Sequence, residues 1–449
     1  MISKIARKEF LFSITTIRFS VLVLICCLLM PISVWVLSSD YNRELEDYNG
    51  RLELEQRRQA GKGESINVSR AAPQLSALFQ GVSIEAANNV DLKSLLGWNR
   101  PNAAESQSDT HALFPSVDLS FIIGIVFSAM ALMLAYDTIS GEKEQATFRL
   151  MMSSPVPRSS VVIGKWLGLT LTMIVPFSLG IFISILVFLG TISISLSQTN
   201  WIALILALLV CVAFLSVFIL LGITISALSR SNAKSIIGCF IAWGILTMIL
   251  PQVTTVAADN LVPAPSTQAK EKDIRLAHNE YCRAMRNNNI ALADRALSEG
   301  WEYSRVDKER RKNQALSSLD AMRTMNAIKE EFWLRVAEQE NLAKTISVSS
   351  PFGSLNVALV ALADTGPQSQ RAFLIAAYRY GEFYFREMFR DDLRSGSQGQ
   401  SASIPEFSFS ETTLGERLSS ASYPAAVLVI FNILLILVAV IAFNRFDVR

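Results

Sequence analysis

The chain has 449 residues, 51% of them hydrophobic and only 18% charged, and its 41 Lys and Arg nearly balance its 39 Asp and Glu, for a net charge of +2. This is the composition of a membrane protein and excludes an average soluble globular domain. Lys and Arg gather beside apolar runs and not in one basic patch, so no nucleic-acid partner is expected.

Residues 1–16 are basic and amphipathic. Ile2, Ile5, Phe10 and Ile14 share one broad face, which predicts an interfacial helix on the membrane surface. A bilayer core needs ~20 apolar residues per helix, and the first such run covers residues 17–37. It is long, contains Pro31 and lacks a clean cleavage site, so it reads as a retained anchor and not a signal peptide. Residues 38–116 are polar; their start continues the first helix upward until Gly61 and Gly63 break it. A second span is expected over 117–136 and a third over 167–189, separated by the polar loop 137–166. The fourth covers 201–228 and the fifth 235–256. Residues 257–422 form a second large polar segment with helical periodicity over 266–298 and 302–345. Ser350 and Pro351 open another helix through Leu362, Gly366 and Pro367 end it, and 370–393 is a further amphipathic helix. Ser395–Ser403 is a low-complexity linker, 423–443 is the sixth span and 444–449 the tail. The fold expected is an all-α polytopic membrane protein with six transmembrane helices and a mainly helical extracytoplasmic region.

Orientation follows from Lys and Arg in short flanks. Lys4, Arg7, Lys8 and Arg18 precede the first span; Lys143, Arg149, Arg158 and Lys165 lie in the second–third loop; Arg230 and Lys234 lie between the fourth and fifth; Arg445 and Arg449 follow the sixth. With six spans these fall on one side, so both termini are expected to be cytoplasmic.

Several chemistries are missing from the sequence. There is no phosphate-binding loop, since GKGES at Gly61–Ser65 has the composition without the spacing. The two histidines, His111 and His278, cannot form an i, i+4 zinc pair, and there is no G-x-S-x-G elbow. No ionisable residue lies deep in a predicted span, which argues against an ion-driven transporter. Cys26, Cys27, Cys211 and Cys239 sit in apolar runs, leaving Cys282 alone in a polar segment without an internal disulfide partner. No catalytic, metal or cofactor site is expected in this chain.

The loop at 137–166 carries the strongest signal: a charged amphipathic helix over 142–152, then a turn flanked by Pro155 and Pro157. Its residues Asp137, Ser140, Glu142, Glu144, Thr147, Ser154, Pro155, Arg158, Gly164 and Lys165 resemble the ABC-2 type permeases of ABC exporters, with Ala146 where Gly is usual. The extracytoplasmic segments Ala71–Gly81 and Ser350–Phe373 resemble a bacterial subgroup with two enlarged outer loops, the multicopper-enzyme-maturation-type permeases. No Met- or His-rich tract appears, so copper is not carried over.

The resemblance implies the membrane subunit of an exporter in a bacterial inner membrane. It would be paired with a second permease copy or a related permease. Separate ABC ATPase subunits would hold ATP and Mg, and a periplasmic partner is conceivable for the outer segments. The short helix would sit in a groove of the ATPase, with Glu142, Lys143, Glu144 and Arg149 pairing to it and Phe148, Leu150 and Met151 anchoring it toward the bilayer. An alternative of another class is an ATP-driven mechanical transmitter that moves no substrate.

Overall fold

The structure is a computed structural model that describes residues 2–60, 67–81, 89–91, 117–145, 157–192, 196–263, 265–388, 390 and 407–444. Backbone polar groups in hydrocarbon must be satisfied within their own segment, so each apolar run folds as a helix. Among the described residues, six helices are long and apolar enough to cross a bilayer: Ile17–Glu53, Leu119–Glu144, Arg158–Thr191, Gln198–Leu228, Asn232–Leu261 and Leu414–Asn444. The chain is an all-α, multi-pass membrane protein.

The chain begins with α1 (Ile2–Ile14), followed by α2 (Ile17–Ala60). The second span, α3, joins Leu119–Phe121, a π-helical stretch Ile122–Phe127, and Ser128–Ala135. A short helix, α4 (Ser140–Glu144), follows it. Then come α5 (Arg158–Thr191) and α6 (Gln198–Leu228). The fifth span, α7, joins Asn232–Gly244, a second π-helical stretch Ile245–Ile249, and Leu250–Leu261. Outside the spans lie α8 (Thr267–Glu299), α9 (Tyr303–Ser347), α10 (Pro351–Ala363) and α11 (Pro367–Met388), before the last span α12 (Leu414–Asn444).

These helices overrun the apolar windows that mark them. The third and sixth spans begin at Arg158 and Leu414, well before residues 167 and 423. Hydropathy measures the hydrocarbon thickness, whereas a helix continues until a cap or turn stops it. Here Ser197, Ser231 and Ser350 accept the backbone N–H of Asn200, Lys234 and Gly353, each fixing a start.

The most enclosed spans are α3 and α6, with 67% and 61% of their apolar windows buried; α7, at 11%, is almost wholly on the outside of the bundle. One apolar core runs through α2, α3, α5, α6 and α12, containing Met30, Phe127, Phe177, Phe214, Phe218 and Leu428. Phe127 and Phe177 meet edge to face with centroids 6.1 Å apart.

At the end bearing the long inter-span segments, α8 and α9 form an antiparallel hairpin. Gly300 turns it in the left-handed region at φ 64°, a conformation that costs glycine nothing. Tyr281 and Ser318 share a buried hydrogen bond of 3.0 Å across it. A two-stranded antiparallel sheet, β1 (Asn67–Ser69) with β2 (Asn89–Asp91), contributes Val68 and Val90 to a second core with Leu319, Met322 and Phe373.

The helix α10, within the segment 257–422 expected to be extracytoplasmic, packs directly against the spans. Leu355, Ala358, Leu359 and Leu362 join the membrane core, packed on α6 and α12. Phe352 stacks where a Cβ on Gly124 would stand, so the glycine in the π-helical stretch of α3 lets the two helices meet. With 13 residues α10 is too short to cross.

Candidate functional site

At the opposite end, α3 gives way to the turn 136–139 and α4, and every span sends a residue to this junction directly or through a neighbour. From α2, Arg18 donates to the Asp137 carboxylate at 2.8 Å and to the Tyr136 hydroxyl at 2.7 Å, with its guanidinium 4.7 Å from the Tyr136 ring centroid. From α6, the Ser226 hydroxyl accepts the backbone N–H of both Ile139 (3.0 Å) and Ser140 (2.9 Å). These N–H groups at the start of α4 have no helical partner of their own. From α7, Ser235 donates to the Tyr136 carbonyl at 2.6 Å, and Asn232 accepts from the Ser140 hydroxyl at 2.5 Å.

The charges of α4 match the two helix ends beside it. The Lys143 ammonium donates to the carbonyls of Ala227 and Ser229, where α6 leaves its last C=O groups without helical partners. Glu144 accepts from the backbone N–H and side-chain amide of Asn232, both at 2.9 Å, at the first residue of α7. A cation at a helix C-terminus and an anion at an N-terminus are each stabilising.

Lys165 lies at the centre. It sits roughly two turns inside α5 and is only 2% exposed. Its ammonium meets Glu142 at 2.9 Å, Glu9 at 3.4 Å and the Thr138 carbonyl at 3.0 Å, so its three N–H groups have three acceptors. Glu9 comes from α1, which lies tightly along α5. A Cβ on Gly164 would stand 2.8 Å from the Ile5 Cβ, and one on Gly168 would stand 2.7 Å from the Ala6 carbonyl oxygen. Small residues allow this backbone approach. Removing one partner from a buried pair of this kind costs ~3–5 kcal/mol. Arg158 completes the set by donating to the Asn444 carbonyl at 3.0 Å, tying the start of α5 to the end of α12.

Of the residues that the sequence singles out, Asp137, Ser140, Glu142, Lys143, Glu144, Arg158 and Lys165 are brought into this one junction. Glu142, Lys143 and Glu144, expected to face an ATPase, have partners within the chain. Thr147, Phe148, Arg149 and Pro155 lie outside the described residues, as does most of the helix expected over 142–152. Sequence reading missed Glu9, Tyr136, Ser226, Asn232 and Ser235. Tyr136, Ser226, Asn232 and Ser235 are polar residues at the edges of spans, and Glu9 lies within the basic helix α1.

A second buried cation stands at the far end. Arg417, 3% exposed in the first turn of α12, donates to Asn200 at 2.9 Å and Thr412 at 3.2 Å and pairs with Glu411 at 3.2 Å and Asp364 at 3.6 Å. It links the start of α6, the residue that ends α10, and the last span.

The junction combines matched charges and bonded helix ends with contacts from α1, α2, α5, α6 and α7. Comparison with curated proteins gives no match. A family profile described as ABC-2 family transporter protein matches residues 3–449, nearly the whole chain. The chain therefore belongs to the ABC-2 transporter family.

Proposed function

We propose that this protein is the permease subunit of an ABC exporter in a bacterial inner membrane, driven by ATP and Mg bound to a separate ATPase subunit. The observation that carries the reading is the junction at 137–145, where α4 is held by α5, α6 and α7 and, through Lys165, by α1. A push on the loop that follows α4 would reach all these helix ends at once. Residues 140–145 act as positioning residues, and contact with the ATPase falls to the next stretch of the loop, where Arg149 and Phe148 stand in sequence. Closure of the ATPases on ATP shifts the permease between states only through contacts that differ between them.

Both termini are placed in the cytoplasm, with α8 and α9 outside it. The exposed face of α7, with Ile237, Ile241, Ile245 and Met248, is placed against a second permease copy or lipid. A second reading, a transmitter that moves a periplasmic partner and no substrate, is favoured by α9: its 45 residues form one continuous helix from the hairpin tip to the base of α10.

Affinity purification from native membranes under gentle extraction, with identification of bound proteins and assay of ATP hydrolysis, tests the main reading. A bound, hydrolysing ATPase is the expected result; its absence from an intact complex overturns it.

A further inference from the structure

Where the membrane core meets the long-segment end there is a cavity of about 450 Å³. That lies within the range of ~300–1,000 Å³ typical of small-molecule sites. Its apolar wall is built by Phe121 at the start of α3 and by Phe352, Val357 and Val360 on α10. Asp118 and Lys344 also line it, the first just ahead of α3 and the second in the last turn of α9.

The two charges are not equivalent. The Asp118 carboxylate is already taken up: it accepts from the Phe121 N–H at 2.9 Å, the Ser120 hydroxyl at 2.7 Å and the Gln80 N–H at 3.1 Å. Lys344 has no hydrogen bond or ion pair among the described residues. Its nearest acid, Glu340, is engaged by Arg371 at 2.7 Å. Burial, the larger cause, and the Arg371 charge push the Lys344 ammonium below the ordinary lysine range, with Glu340 opposing them. A half-buried cation without its own counter-ion is poorly compensated, and an anion beside it would relieve that. The wall beside the cation is apolar, so a bare inorganic anion would leave most of the cavity unused. Asp118 and Ser420, at the starts of α3 and α12, also line the cavity.

We propose that this cavity binds a single-chain anionic amphiphile, its carboxylate or phosphate head at Lys344 and its tail along Phe121, Phe352, Val357 and Val360. The site goes beyond the coupling reading and stands whether or not an ATPase binds.

The test is photolabelling of the purified full-length protein in non-ionic detergent with a diazirine-bearing palmitate, followed by peptide mapping. Label is expected on α10 and the start of α3. Lys344→Ala should lower it about tenfold, as loss of a charge-assisted contact does, and Lys344→Arg should retain it. Palmitate or lysophosphatidate should compete at least about tenfold better than hexadecanol, and the better of the two identifies the head group. Ala361→Trp, which fills the cavity without touching Lys344, should also block labelling. Equal competition by hexadecanol, competition by inorganic phosphate alone, or label spread over the lipid-facing helices and indifferent to Ala361→Trp would overturn the proposal. The competition arm uses the unaltered protein, so it decides the matter even if a variant fails to fold.

Discussion

Lys165 at one end of the bundle and Arg417 at the other are both buried cations, and they are held differently. Lys165 is a compact ammonium whose acceptors sit on α1, on α4 and in the turn between α3 and α4. Arg417 is a planar fork that reaches Asn200, Thr412, Glu411 and Asp364, and Glu411 is half exposed to water. An ammonium tolerates rotation of its partners, whereas a guanidinium holds them in one plane. The first arrangement accommodates small shifts of its partners; the second holds α10 and α12 in one geometry.

The largest effect that bears on this contrast is expected at Lys165. Lys165→Met leaves Glu9 and Glu142 facing each other in a closed site and should lower stability by ~3–5 kcal/mol. Adding Glu9→Gln and Glu142→Gln should recover part of that loss. Thermal unfolding in detergent reads both; a loss that the additional changes leave untouched would separate Lys165 from those carboxylates.

Arg417→Lys should cost less, ~1–3 kcal/mol, because water can reach Glu411. It should loosen α10 specifically, visible as faster hydrogen exchange over Pro351–Ala363. If Arg417→Lys were neutral, the planar clasp would be wrong.

Gly168→Leu forces a side chain into the Ala6 carbonyl and should cost ~1–3 kcal/mol by overpacking. Release of α1 would appear as new proteolysis between Ile2 and Thr16, with the long-segment end unaffected.

A further effect, read from pH dependence, concerns the hairpin. Burial, reinforced by the Lys270 charge, brings Lys329 down to about 8 from its ordinary 10.5. The unfolded chain therefore keeps a proton between those values that the folded chain has released, and stability rises with pH across that window. Lys329→Gln should flatten this slope in melting temperature measured from pH 7.5 to 10.

The spans were legible because an apolar run of bilayer length has few other solutions, and the loop at 137–166 because charge interrupts two such runs. Lys165 stands out in the sequence as a topology marker and as part of the ABC-2 resemblance, but its pairing does not: its two acidic partners lie 156 and 23 residues away, and no local pattern joins them. Ser226 and Asn232 carry no distinguishing pattern in the sequence, since their role depends on α4 arriving between two helix ends. The helix at Pro351–Ala363 was visible, from its Ser–Pro start and its Gly–Pro stop. Its packing on the spans was not, because a short, mostly apolar helix fits an isolated outer position as well as one laid against α6 and α12. Arg417 escaped notice because the apolar window opens after it.

The central claim is that displacement at 137–145 is shared by all the helix ends it touches. Hydrogen exchange of the purified permease–ATPase complex, with and without a non-hydrolysable ATP analogue, tests it most directly. The account predicts that protection changes together over Asp137–Gln145, Ser226–Ser235 and Ile2–Ile14. Changes confined to residues 146–156, with those three segments unmoved, would contradict it.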